Sequence, residues 1–260
     1  MNLPTISIIT VAYNASNTIE TTILSVVNQT YPNIEYIIID GGSTDGTIDI
    51  IKKYENKITK WISEPDKGIY DAMNKGINLA RGEWINFMNC GDSFYENNTL
   101  QVISDTIINS KDINVIYGNS IISLDRFKYI VLPKELENLS SHLPFCHQCS
   151  FVQTSLAKKY PFELKYKFVA DYNFFYQLFL KKHIFLYINK PIAYYRIEDG
   201  FTASNMDLSH FETYKVNGKN ISNLTKIQYK IKSLLLKYLP KCCIIQIRRI
   251  TYNFLFTRIE

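Results

Sequence analysis

Asp40, Asp92 and Asp171 each stand where an element begins or ends, the kind of position that presents a carboxylate to a ligand. Asp40 closes the apolar run from Ile34 and is followed by Gly41-Gly42, so a ligand can approach the backbone beside it. A carboxylate only accepts hydrogen bonds, which suits the N–H edge of uracil or guanine. Tyr13, at the end of the preceding apolar run, could stack on the same base. The alternative for Asp40 is an Asx-turn that only shapes its loop. Asp92 ends the stretch GEWINFMNCGD and suits a divalent metal, because Mg²⁺ and Mn²⁺ take oxygen ligands and often use one or two carboxylates plus phosphate oxygens. A metal there would neutralise charge on a departing diphosphate. Lys67 would add positive charge or is an ordinary solvated lysine, and the helix that follows it would offer N–H groups from its first turn. Asp171, within Phe168-Val169-Ala170-Asp171-Tyr172, reads either as a helix-capping residue or as a general base.

The elements that must position these acids follow from the patterning. Ile6 to Asn14 and Ile34 to Asp40 are mostly apolar and β-branched, as expected of strands buried on both faces of a parallel sheet. Between them Ile19, Ile23, Val26 and Val27 recur at helical spacing, with Asn14-Ala15-Ser16-Asn17 available to cap that helix. A helix over 48–54, a strand over 59–62 and a helix carrying Ile69, Ala72, Met73, Gly76, Ile77 and Ala80 follow. Gly82 ends that helix, and Trp84 to Met88 is the next buried strand. Strand and helix alternate at the pitch of βαβ units with right-handed crossovers. The first hundred residues therefore form a doubly wound half-sheet whose loops of interest share one edge. Beyond Leu100 the pattern loosens. A helix over 100–108, strands near 115–117, 125–132, 184–188 and 192–196, a polar and aromatic loop over 143–153, and a helix opening at Ala170-Asp171 are expected.

The segments SIITVAYN, IIIDGGSTDGT, EPDKGIYDAMNKGINLARGEW and FMNCGD, in this order, resemble the family two glycosyltransferases. The resemblance is dense over residues 5–100 and continues thinly to about 205 through His147-Gln148, Ala170-Asp171 and Tyr195-Arg196. It is nearest to the bacterial branch that builds O-antigen or capsule. It implies an α/β GT-A fold, Rossmann-like with a mostly parallel central sheet flanked by helices. It also implies inverting transfer of a sugar from a nucleotide diphosphate donor, a UDP-sugar here. The acceptor implied is a glycan or a polyprenyl-diphosphate-linked oligosaccharide, and the cofactor Mn²⁺ or Mg²⁺. Carried over residue by residue, it places Ala12, Tyr13 and Asp40 around base and ribose, with Gly68 and Asn74 near the donor. Asp92 matches the last acid of the metal-binding DxD motif, and Asp171 the acid that deprotonates the acceptor hydroxyl. His147 and Gln148 would line the acceptor or diphosphate pocket. Asn89-Cys90-Gly91-Asp92 carries one carboxylate where two or three are common, so a catalytically silent nucleotide-sugar binding protein is the competing reading.

Composition narrows the rest. With 260 residues, 46% hydrophobic and 20% charged, the chain suits a globular domain, read as 1–214 with a donor half to residue 100 and an acceptor half beyond it. Residues 215–260 read as a basic, amphipathic helical extension: Ile231, Leu234, Leu235 and Tyr238 share a face beside Lys230, Lys232 and Lys237, and a second helix runs from Cys243 to Phe254. Such helices lie on an anionic membrane, or pack on their own domain or on a second copy in a homodimer. Five cysteines with no regular framework argue for a reducing compartment, so the chain is expected in the cytoplasm, or on the inner face of the cell membrane if the tail meets lipid. Cys146 and Cys149 beside His147 offer only part of a zinc site. The loop after the second strand lacks the G-x-G-x-x-G spacing of a dinucleotide oxidoreductase, and nucleic-acid binding has only the basic tail in its favour.

Overall fold

The computed structural model describes residues 3–124, 127–195, 206–238 and 257–258. Strand β1 (Ile6–Ala12) is buried along its whole length and pairs in parallel with β2 (Ile34–Asp40) on one side and β4 (Trp84–Phe87) on the other. Its side chains alternate between two cores. Ile9 and Val11 point into one with helix α3 (Ile69–Leu79), and Ile6, Ile8 and Ala12 into the other with helix α1 (Ile19–Val27). Both faces are covered, which is why the run is apolar without alternation. Gly76 lets α3 lie close on β1: a Cβ there would meet Ile9 Cγ2 at 2.5 Å.

Helix α2 (Thr47–Lys53) and strand β3 (Lys60–Ser63) continue the parallel side, with β3 on β2. After α3 the chain returns to the opposite side of β1 as β4. Strand order therefore reverses at β1. Beyond β4 the sheet becomes mixed. Short β5 (Ser93–Phe94), helix α4 (Thr99–Asn109), β6 (Val115–Leu124), β7 (Phe127–Val131), β8 (Ser150–Gln153), α5 (Thr154–Lys159), α6 (Ala170–Leu180) and β9 (Phe185–Tyr195) follow. β8 joins β4 to β6, antiparallel to both. β9 runs parallel to β6 with register shifts around Asn119, so the two strands expected over 184–188 and 192–196 are one irregular strand.

Helices α7 (Met206–Val216) and α8 (Asn223–Tyr238) pack against each other, and β10 (Thr257–Arg258) adds to β7. α7 crosses the expected boundary at 214/215. It is tied to the domain by Glu212, which accepts from the backbone N–H of Lys167 and Phe168, and by Asn217, which bonds Tyr172 Oη and the carbonyl of Ser141. Arg196, Cys242, Cys243 and the second tail helix lie outside the described residues. Among the described residues no helix is long and apolar enough to cross a membrane.

Candidate active site

In an open α/β sheet, ligands bind beyond the carboxyl ends of the strands where strand order reverses. Here that point is the crevice beyond β1 and β4. A cavity of about 1340 Å³ opens there. It exceeds the roughly 300–1,000 Å³ of a small-ligand pocket, leaving room for two substrates together. Its walls are Tyr13 and Asn14 after β1, Tyr70 and Met73 of α3, the turn after β4, His147 and Gln148, and Asp171 at the start of α6.

The turn after β4 is built to aim one carboxylate. Asp92 N–H donates to the carbonyl of Asn89 at 3.0 Å, and Gly91 between them adopts φ 95°, open to glycine without strain. Thr22 of α1 holds the turn through one hydroxyl, accepting from Gly91 N–H at 3.0 Å and donating to Asp92 O at 2.7 Å. Asp92 is 5% exposed, and its Oδ2 accepts from Gln148 Nε2 at 2.7 Å. Asn86, buried in β4, donates to the carbonyls of Gln148 and Ser150 and so locks the His147-Gln148 segment onto the strand.

Asn89 turns Nδ2 toward His147 Nε2 at 3.1 Å, while its Oδ1 is buried with no hydrogen-bond partner. A carboxylate and an orphaned amide oxygen on one tight turn form the oxygen donor set that Mg²⁺ or Mn²⁺ takes, so the residues fit the expected metal. The neighbouring thiols are poor ligands by comparison. Burial, then the charges of Asp92 and Asp40, push the Cys90 thiol up. A hydrogen bond with Cys149, then burial, does the same to Cys146. Among the described residues no group of three or more His, Cys, Asp or Glu side chains is placed to share a metal.

Asp171 sits in the first turn of α6 rather than at its cap, which is Val169. Tyr70 Oη donates to its Oδ1 at 2.8 Å, and His147 Nδ1 lies 3.1 Å from its Oδ2. Burial alone would push the carboxyl up, but the hydrogen bond and charge of His147, followed by the Tyr70 hydroxyl, hold it below its ordinary value of 3.8. The Tyr70 phenol is pushed well up by burial and by Asp171, so it remains a donor. A carboxylate has about four lone-pair sites; Tyr70, His147 and the backbone N–H of Tyr172 take three and leave one for a further hydroxyl. Tyr70 and Asn89 were not singled out from the sequence, although both lie within runs that carry the resemblance.

The other expected residues separate into two groups. Tyr13 is 67% exposed at the cavity edge, and His147 and Gln148 line the cavity. Ala12 contributes backbone, its carbonyl accepting from Gly41 N–H at 2.8 Å. Asp40 is fully buried; its Oδ2 accepts from Gly42 N–H, Ser43 N–H and Ser63 Oγ, and its Oδ1 from Ser43 Oγ. These bonds shape the loop, and Oδ1 keeps one lone pair. Asn74 is likewise committed elsewhere: both ends of its amide bond the backbone of Phe162, fixing α3 to the segment before α6. Gly68 caps α3, and Lys67 is exposed on the loop before it; neither lines the cavity. Asn14 does not cap α1 with its side chain but accepts from Thr44 N–H, tying the first loop to the second.

The far wall of the cavity comes from beyond residue 205. Ser209, His210, Thr213 and Tyr214 of α7, with Asn217, Lys219 and Tyr229, face the same space as Asp92. His210 and Tyr229 stack with ring centroids 4.3 Å apart. Residues from the described part of the expected extension therefore contribute to the cavity wall.

Comparison with known proteins agrees with this architecture. The sequence profile described as Glycosyl transferase family 2 matches residues 7–181. A PGL/p-HBAD biosynthesis glycosyltransferase from Mycobacterium bovis is 32% identical over 178 residues, covering 67% of this chain and 69% of that protein. Among solved structures, S. aureus TarS 1-349 in complex with UDP-GlcNAc superposes with TM-score 0.67 at 19% identity, over 88% of this chain and 71% of that one. Glucosyl-3-phosphoglycerate synthase from Mycobacterium tuberculosis, in complex with Mn²⁺, UDP and glucosyl-3-phosphoglycerate, does so with TM-score 0.58 at 14% identity, over 84% and 82%. At these identities the structural likeness speaks for the GT-A fold.

Proposed function

Because this chain belongs to glycosyl transferase family 2 and is a glycosyltransferase of the GT-A fold, we propose that it moves a sugar from a UDP-sugar to a hydroxyl of a glycan or polyprenyl-diphosphate-linked acceptor, with inversion, in bacterial surface polysaccharide synthesis. The observation that carries this reading is that Asp92 and Asp171 line one cavity with Tyr13 at the point where strand order reverses. Tyr13 stacks on the base. Asp92 and Asn89 Oδ1 hold a divalent ion that, when bound, supplies positive charge against the leaving diphosphate. Asp171 accepts the proton of the acceptor hydroxyl as that oxygen bonds the anomeric carbon and the bond to the diphosphate breaks. His147 and Tyr70 hold the base, and Gln148 aims Asp92. The α7–α8 wall receives the acceptor.

A panel of nucleotide sugars with Mn²⁺ and lipid-linked or free glycan acceptors tests the activity. Turnover of at least one UDP-sugar is expected. Binding of donors with no transfer or hydrolysis across the panel would instead favour the silent binding protein.

The described start of the C-terminal region supports a membrane partner on the cytoplasmic face. Leu224, Ile227 and Ile231 form one stripe of α8, each more than half exposed, on a helix whose Tyr229 faces the cavity. No acidic residue occurs between Glu212 and Glu260, whereas Lys219 and Lys226 lie close in sequence to these residues. An apolar stripe among cations suits an anionic bilayer. Co-sedimentation with phosphatidylglycerol vesicles is expected, weaker with phosphatidylcholine and lost when Leu224 and Ile227 are both changed to Asp. Intact protein that ignores both vesicles, or that is dimeric through this face, would assign the stripe to a protein partner.

A further inference from the structure

The cavity is divided by charge. Among the described residues the acids that line it are Asp92 and Asp171, and the lysines are Lys134 and Lys219. Both lysines are exposed, and no carboxylate among the described residues pairs with either. Glu135, beside Lys134 in the chain, does not line the cavity. Two loops bring the lysines to one corner. Lys134 N–H donates to the carbonyl of Pro144 at 2.9 Å, which closes the loop that carries Ser141 and His142. Burial, then the charge of Lys134, pushes the His142 imidazole down, so the ammonium lies close to that ring. Lys219 follows α7, its N–H donating to the carbonyl of Tyr214 at 3.0 Å around Gly218, whose φ is 65°. Asn217 stitches the two loops together, its Nδ2 donating to the carbonyl of Ser141 at 3.2 Å. Its Oδ1 accepts from the Tyr172 hydroxyl, and Tyr172 is the residue after Asp171. The cationic corner is therefore tied to the turn that carries the general base.

We propose that Lys134 and Lys219 form an anion subsite that holds a phosphate of the acceptor, a sugar phosphoester whose reacting hydroxyl lies at Asp171. The assignment rests on the sugar-transfer reading above and narrows its acceptor from any glycan to one that carries phosphate next to the sugar it offers. The donor diphosphate is assigned to the end of the cavity lined by Asp92, so cations without carboxylate partners at another corner serve a second anion. A neutral glycan would leave both ammonium groups unused, whereas phosphate takes charge-assisted hydrogen bonds about twice as strong as neutral ones. The exposed stripe of α8 begins shortly after Lys219, at Leu224, so a lipid carried on that phosphate would meet apolar surface at once. The same chemistry has two sources: the diphosphate between a sugar and its lipid carrier, and the headgroup of a membrane phospholipid. The corner belongs to the cavity that holds the base, where a headgroup has no reaction to serve, so the first source is the one assigned.

Calorimetry in EDTA, so that no divalent ion can hold a diphosphate at Asp92, tests the subsite with inorganic pyrophosphate, farnesyl diphosphate and dihexanoyl phosphatidylglycerol. Wild type should bind both diphosphates, and both more tightly than the phosphatidylglycerol. The double variant Lys134→Gln/Lys219→Gln should lose about 10–100-fold in affinity for the diphosphates, the range for hydrogen bonds to charged groups. Both side chains are exposed, so a melting curve like that of wild type should show the variant folded. A variant that keeps wild-type affinity for the diphosphates overturns the assignment, as does wild type that binds neither. Phosphatidylglycerol that binds as tightly as farnesyl diphosphate, with the same loss in the variant, would give the lysines to membrane attachment and overturn the acceptor role. UDP with Mn²⁺ is titrated separately. If it fails to bind while the diphosphates bind through the two lysines, the donor reading falls and the anion subsite stands.

Discussion

Asp92→Ala should abolish metal-dependent sugar transfer, with a loss of at least about 10²–10³-fold, the size of effect seen when one preorganised charge-stabilising group is removed. The loss should be confined to chemistry and metal binding. The turn that carries Asp92 is held by Gly91 and by Thr22 bonding to backbone, none of which uses the carboxylate. The backbone of the turn should therefore survive, with stability lowered only by the lost Gln148 hydrogen bond. What disappears is the only carboxylate of that turn, leaving Asn89 Oδ1 as a single neutral oxygen for a cation. Titrating Mn²⁺ against turnover checks the prediction. Full activity of the variant at unchanged Mn²⁺ would remove Asp92 from the metal site.

Asp171→Asn should reduce transfer by about 10²–10⁴-fold, the usual contribution of a positioned general base, while nucleotide binding persists. The acceptor hydroxyl is too weak an acid to ionise alone at neutral pH, so a carboxylate must take its proton as the new bond forms. Asparagine keeps the shape and can still accept from Tyr70, but it cannot be the proton acceptor. The pH dependence follows from the lowered value of Asp171. Because its folded pKa lies below 3.8, the carboxylate is ionised throughout the neutral range. Its contribution to stability is present above 3.8 and is lost as pH falls through the folded value. Rate against pH should therefore show no limb from Asp171 near neutrality. From an α-linked donor the product should be β-linked. An α-linked product, or near-normal transfer by the asparagine variant, would show that the base lies elsewhere.

Much of the first hundred residues was legible because burial there is local and two-sided. The run Ile34–Asp40 reads as a strand and is one, and the strand and helix pitch up to Phe87 matches the observed order. Each of those segments has both faces covered or one clear apolar stripe, so its own composition reports its surroundings. The second half lacks that property. β5 is two residues long and exists because β9, about a hundred positions later, runs beside it. α7 carries no clear apolar stripe, and its position depends on Glu212 and Asn217 finding partners on α6 and the loop before it.

The sequence by itself determined that acids stand at strand ends on one edge of a doubly wound sheet, and the ordered motifs pointed to the family. Which oxygen of which acid is available was decided only by tertiary structure. Folding brings Ser63 onto the Asp40 carboxylate from β3. Asp171 meets Tyr70 across a separation of 101 residues and His147 through a loop pinned by Asn86. Periodicity records whether a residue is buried, because burial repeats with the backbone geometry of a segment. The partner of a buried polar atom depends on strand order and register, which belong to the whole sheet and to no one segment.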